Sequence, residues 1–125
     1  MARIKVVFEF VVKASPTILF HFLTEPACLV RWFCDAVDIQ NDFYVFSWSG
    51  ASEVAEVVED IEDERIRFQW DNENKGEFLE FYIYKSDVTD ETILRITDFC
   101  DDDEEKDQRL LWESQVFTLK KEMGG

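Results

Sequence analysis

The side chains best suited to chemistry in this sequence are two carboxylates and a set of aromatic rings. Asp98 shares strand parity with Leu94 and Ile96, and Glu53 shares it with Ala55 and Val57. Where those apolar residues face inward, both carboxylates point to an interior or its rim. A carboxylate in such a place has a raised pKa unless it is paired, and it can serve as an acid, a base or an anchor for a cation. The alternative for each is a strand end in water, or a cap on neighbouring backbone. Asp98 stands close to the start of the last helical pattern, which favours capping. Trp48, Trp70 and Trp112 fall on faces expected to turn inward. They either wall an apolar pocket, stacking on a ring or an acyl chain, or simply fill the core.

Little else in the chain offers reactivity. His21 is the only imidazole, expected on the exposed side of a short helix away from Ile18 and Phe22, and no Ser or Cys has a matching His and acid to activate it. Cys28, Cys34 and Cys100 are odd in number and form no CxxC pair. With one His they supply no zinc ligand set, so neither metal nor cofactor is expected, and idle thiols in a reducing cytoplasm are the plain reading. The run Asp101–Glu105 is either a docking patch or a solvated helix start. Its spacing does not match a calcium loop, which requires a Gly turn and a terminal bidentate Glu.

The formal charge of −15, with 28 acidic against 13 basic residues, argues against nucleic acid, which requires a basic footprint to displace counterions. No apolar run is long enough to span a bilayer, and the N-terminus enters a strand pattern directly, without a signal segment. At 125 residues the chain has the size of one domain, expected over residues 1–125. Twelve Phe, four Trp and three Tyr carry much apolar area into that small volume.

The elements that must position these residues follow from periodicity. Val6, Phe8, Phe10 and Val12 alternate with Lys5, Glu9 and Lys13, which predicts a strand over Arg3–Lys13. Ser15-Pro16 is a helix start, with a hydroxyl N-cap followed by Pro, and Ile18, Leu19, Phe22 and Leu23 supply the apolar face. Thr24-Glu25-Pro26 repeats the signal for a second short helix over Pro26–Phe33, burying Leu29, Val30 and Phe33 or Trp32. Strands are then expected over Ala36–Gln40, Phe43–Ser49, Glu53–Ile61, Arg65–Trp70, Glu77–Lys85 and Glu91–Phe99, with turn residues between them, including the whole of Asp71–Gly76. In the last segment Trp112, Val116, Leu119 and Met123 form a helical stripe, which Leu110 and Phe117 are expected to widen, with Gly124 as the stop. The sum is an α+β layout: two short helices after the first strand, then six strands, then a long helix.

This order resembles the START-like superfamily (SRPBCC, or helix-grip), and within it the branch related to the activator of the heat-shock protein 90 ATPase. The segments that carry the resemblance are Ser15-Pro16 through Leu23-Thr24-Glu25-Pro26, Leu29 through Trp32-Phe33, Tyr44–Trp48, Arg67–Trp70, Leu94–Phe99 and Leu111–Gln115. Small START-like proteins of the Bacteroidetes are similar over nearly the whole length. The resemblance implies a seven-stranded curved antiparallel sheet wrapped around the C-terminal helix, with a cavity between them. The residues expected to line it are Phe8 and Phe10 of the first strand, Phe46 and Trp48, Phe68 and Trp70. Leu79, Phe81, Ile83 and Ile96 join them from later strands, and Trp112 and Val116 from the last helix, with Glu53 and Asp98 as polar candidates. Two functions are open at this point. One is a binding module for an apolar, lipid-like or aromatic small molecule. The other is a protein-interaction or chaperone co-factor domain. No reaction is singled out, since the superfamily hosts many activities.

Overall fold

The computed structural model describes residues 2–72 and 76–124; the middle of the turn expected over Asp71–Gly76 lies outside them. The chain runs β1 (Arg3–Val12), α1 (Pro16–Thr24), α2 (Pro26–Leu29), β2 (Ala36–Gln40), β3 (Phe43–Trp48), β4 (Ala51–Ile61), β5 (Arg65–Trp70), β6 (Phe78–Lys85), β7 (Thr92–Asp101) and α3 (Glu105–Glu122). The strands form one antiparallel sheet in the order β1-β7-β6-β5-β4-β3-β2. Every neighbour from β2 to β7 is consecutive in sequence, so short turns suffice. At the tip of β3–β4, Ser49 and Gly50 both take positive φ, 50° and 85°, which a two-residue hairpin needs to match the twist of its strands. A register shift between Val57 and Glu59 marks a bulge in β4. Such a bulge bends its strand and helps the sheet curl toward the helices.

The inner face is built from the alternation seen in the sequence. Val6, Phe8, Phe46, Phe68, Leu79, Phe81, Ile83, Leu94 and Ile96 are all buried. The centre of the grip is filled. Phe33, from the turn after α2, packs edge-on against Phe46 (5.1 Å), Trp48 (5.4 Å) and Phe81 (6.2 Å), and lies nearly parallel to Trp112 (6.2 Å, 16°). Edge and offset geometries of this kind suit the ring quadrupoles and add to the area they bury. The outer face is polar. Arg67 bonds Glu80 (2.8 Å), and Arg95 bonds Glu9 (2.8 Å), which also accepts from the Tyr84 hydroxyl.

Helix α1 starts as its sequence requires, with the Ser15 hydroxyl accepting from the Ile18 N–H at 3.2 Å. Ile18 itself is exposed, so the buried face is Leu19, Phe22 and Leu23. Helix α2 is shorter than expected and does not reach Phe33. Glu25, rather than Thr24, stands at its N-cap without a side-chain bond. The N–H groups of Phe33 and Cys34 both return to the Leu29 carbonyl, and the chain turns there. That turn buries Trp32 and Phe33 together and leaves Val30 exposed. In α3, Trp112, Val116 and Leu119 are buried, but Leu110 and Phe117 are 54 % and 66 % exposed, so they do not widen the stripe. The reason is geometric. The helix rests mainly on β1 and β7, with its apolar contact confined to one narrow strip. Gly124 follows the helix with φ of 92°, the left-handed position that suits Gly at a helix end. No helix among the described residues is long and apolar enough to cross a membrane.

Candidate functional site

Beside the filled centre, where the first turns of α3 overhang the sheet, lies an open cleft of about 470 Å³. Trp48, Trp70, Phe33 and Leu79 form its sheet-side wall, and Leu111 and Trp112 form its helix-side wall. Its polar groups are Arg3, Glu53, Glu77 and Asp98 from the strands and strand ends, with Gln108 and Gln115 from α3. Asn72 and Phe99 complete the rim.

Hydrogen bonds frame the cleft. The Trp48 indole N–H donates to the Phe33 carbonyl at 2.7 Å, which fixes the ring and ties β3 to the turn after α2. The Trp112 indole N–H donates to Asp98 Oδ2 at 2.9 Å, and the Gln108 amide donates to the same oxygen at 2.6 Å. The Phe99 N–H donates to Asp98 Oδ1 at 2.8 Å. One carboxylate therefore clamps two side chains of α3, a turn apart, onto β7. Burial pushes the Asp98 carboxyl above its ordinary value. The bonds from Trp112, the Phe99 N–H and Gln108, and the charge of Arg3, all oppose that rise without cancelling it.

Arg3 is engaged as well. Its guanidinium forms a fork with Glu77, at 2.9 and 2.6 Å, and bonds Asp101 at 3.1 Å. Those bonds raise its pKa further. Glu53 and Gln115 differ from these engaged groups. The Glu53 side chain is exposed and makes no hydrogen bond or ion pair among the described residues. The Gln115 side-chain oxygen is buried without a partner among the described residues.

Of the residues expected to line a cavity, Trp48, Trp70, Leu79 and Trp112 border this cleft, together with Glu53 and Asp98. Phe8, Phe46, Phe68, Phe81, Ile83, Ile96 and Val116 are packed in the core instead, and Phe10 is partly buried against it. The site residues missed from the sequence include Gln108, Leu111 and Gln115. Their spacing held the signal, because 108, 111, 112 and 115 fall on one side of a helix. Arg3 and Glu77 lie 74 positions apart, and nothing local pointed to their pairing. His21 is exposed and pairs with Glu25. Cys28, Cys34 and Cys100 are free thiols, and burial, with a smaller effect from Asp35, pushes Cys34 up to about 11. A buried thiol held protonated in this way is a poor nucleophile. Asp101, Asp103 and Glu104 bring their carboxylates together at the surface.

A curved antiparallel sheet gripping a C-terminal helix, with a cleft between them, is the architecture of a helix-grip protein. The chain belongs to the START-like superfamily, whose domain model matches residues 1–125. The solution structure of a Bacteroides fragilis protein is 30% identical and superposes with a TM-score of 0.69, covering 100% of this chain and 94% of that one. The Aha1 dimer from Colwellia psychrerythraea is 17% identical with a TM-score of 0.78, over 94% of this chain and 93% of that one. An AHSA1-like protein from Aeromonas hydrophila is 12% identical with a TM-score of 0.72, over 94% of this chain and 90% of that one. The last two likenesses are likenesses of fold. No curated protein matches the chain.

Proposed function

We propose that this chain is a single START-like domain that binds an apolar or aromatic small molecule in the cleft between the sheet and the first half of α3. The observation that carries this reading is the grouping of Trp48, Trp70 and Trp112 around an opening of about 470 Å³. That volume lies within the range of small-molecule sites, which combine apolar walls with a few placed polar groups. The walls are held in place by bonds to Phe33 and Asp98, so little ordering cost falls on binding. Because the centre of the grip is filled, the ligand lies at the edge of the core rather than inside it. The unpaired state of the three cysteines fits a reducing compartment such as the cytoplasm. A panel of fatty acids, sterols and flat aromatics, read by tryptophan emission and melting temperature, tests the proposal. A ligand of the native state must raise the melting temperature by mass action and perturb the cleft indoles. If no member of the panel gives a saturable response, the reading fails.

A second reading, a protein-interaction domain related to the chaperone co-factor branch, is favoured by one observation. Leu110 and Phe117 are exposed on α3 away from the cleft lining, more apolar surface than a solvated helix needs. Loss of binding to a captured partner on Leu110→Ser and Phe117→Ser, with cleft variants unaffected, would favour that reading over the first.

A further inference from the structure

The charges of the cleft narrow the class of ligand. The strand register places Glu53 opposite Phe46 on the inner face of the sheet. In the same register Trp48 pairs with Ala51, and Trp70 pairs with Ala55. Glu53 therefore stands between the two indoles, diagonal to Trp48 on one side and to Trp70 on the other. Its carboxylate is without a partner among the described residues. The one cation among the described lining residues, Arg3, is already bound by Glu77 and Asp101. The buried Gln115 oxygen across the cleft is a further acceptor without a donor among the described residues. An anionic ligand would meet Glu53 and Asp98 with no free positive charge among those residues. A neutral hydrocarbon would desolvate Glu53 with nothing in return. An aromatic face beside a free carboxylate is the environment that favours an organic cation, because the ring quadrupole and the carboxylate attract the same charge.

Resting on the small-molecule reading above, we propose that the cleft selects an organic cation, with a flat apolar body lying against Trp48, Trp70 and Trp112 and an ammonium or amidinium group directed at Glu53. Asp98 supports this arrangement as a positioning residue, since its Oδ2 holds Trp112 and Gln108 in the wall. The overall charge of −15 draws such a ligand in at low ionic strength.

Three probes with one skeleton test the charge preference: 2-naphthylmethylamine, 2-naphthylmethanol and 2-naphthoate. Each is titrated into the full chain and followed by the indole N–H signals of Trp48, Trp70 and Trp112 in proton–nitrogen spectra. The expected result is that the amine binds about tenfold more tightly than the alcohol and that the carboxylate is weakest. Glu53→Gln should reduce the affinity for the amine about fivefold and change that for the alcohol less than about twofold. Added salt should weaken only the amine. Equal binding of amine and alcohol, or tighter binding of the carboxylate, overturns the cation proposal and leaves the cleft as a small-molecule site. An unchanged amine affinity in Glu53→Gln, in a variant whose spectrum is native, also overturns it. If all three probes are silent while a fatty acid or sterol binds, the cation proposal alone falls. If those are silent too, both readings fall.

Discussion

Trp112→Ala is the most decisive perturbation of this fold. The side chain is 3 % exposed, lies nearly parallel to Phe33, packs edge-on against Phe81 at 6.0 Å, and donates to Asp98. Truncating a large buried aromatic costs about 3–5 kcal/mol. Asp98 would keep its bonds from the Phe99 N–H and Gln108, so the lost donor adds little outside that range. A total near 4 kcal/mol is a large part of the stability of an ordinary domain. With a urea m-value of about 1.5–2 kcal/mol/M, the midpoint should fall by about 2–2.7 M. Trp112→Phe keeps a ring against Phe33 and loses mainly the N–H, so it should fall by less than half as much. Equilibrium urea unfolding by far-ultraviolet circular dichroism measures both. A Trp112→Ala shift worth under about 1 kcal/mol would mean that the indole is not a core residue, and the account of how α3 is held would be wrong.

Two further predictions concern the clamp and the exposed side of the helix. Asp98 has a folded pKa raised above its unfolded value of about 3.8, so its protonated form is favoured in the native state. Its contribution is fully present below the unfolded pKa and is lost as pH rises through the folded one, so the stability of the wild type relative to Asp98→Asn should decline across that window. Glu9, whose pKa is lowered by the Tyr84 hydroxyl and Arg95, has the opposite slope, but it is common to both proteins and cancels. Urea midpoints at a series of pH values read the difference, and a relative stability that grew with pH would refute the assignment. On α3, Leu119→Ala should cost about 2–5 kcal/mol, while Phe117→Ser, at a position 66 % exposed, should stay within about 0.5 kcal/mol. Equal losses at the two positions would show that the helix is rotated about its axis.

Much of the architecture was legible because it rests on local signals. Strict alternation in Ile66-Arg67-Phe68-Gln69-Trp70 fixes which face of β5 is buried, and Ser15-Pro16 marks the start of α1. The failures come from tertiary geometry. The end of α2 depends on the need to bring Phe33 under Trp112, and no residue at Val30 forbids further helix. Leu110 and Phe117 fit a wide apolar stripe on paper, yet α3 meets the sheet along a strip that Trp112, Val116 and Leu119 already fill. Parity assigned Glu53 and Asp98 to the same inner face, and both reach the cleft, but parity carries no depth. Asp98 lies on β7 beneath α3. Glu53 lies two residues past the Ala55–Trp70 pair, where β4 has outrun the end of β5 and water reaches the inner face. The same argument about alternation therefore covers a buried clamp and an open acid.

That difference in depth separates two tasks within one cleft. Asp98 spends its oxygens on the protein, and what it contributes is the position of the Trp112 wall. The Glu53 carboxylate has no partner among the described residues, so its removal should cost the fold little and bear on the proposed ligand. Trp112 belongs to both tasks, since one side of its ring faces Phe33 in the core and its edge borders the cleft. On the proposed function, a ligand stacked on that wall would stabilise the docking of α3, and whatever loosens α3 would move the wall. Binding and the stability of the helix would thus be linked through a single indole, and hydrogen exchange along α3 would report occupancy. Protection should rise on saturation at the buried amides around Trp112 and Val116, and should rise less toward Met123, where the helix end is tied to Arg31 through Glu122 rather than to the cleft.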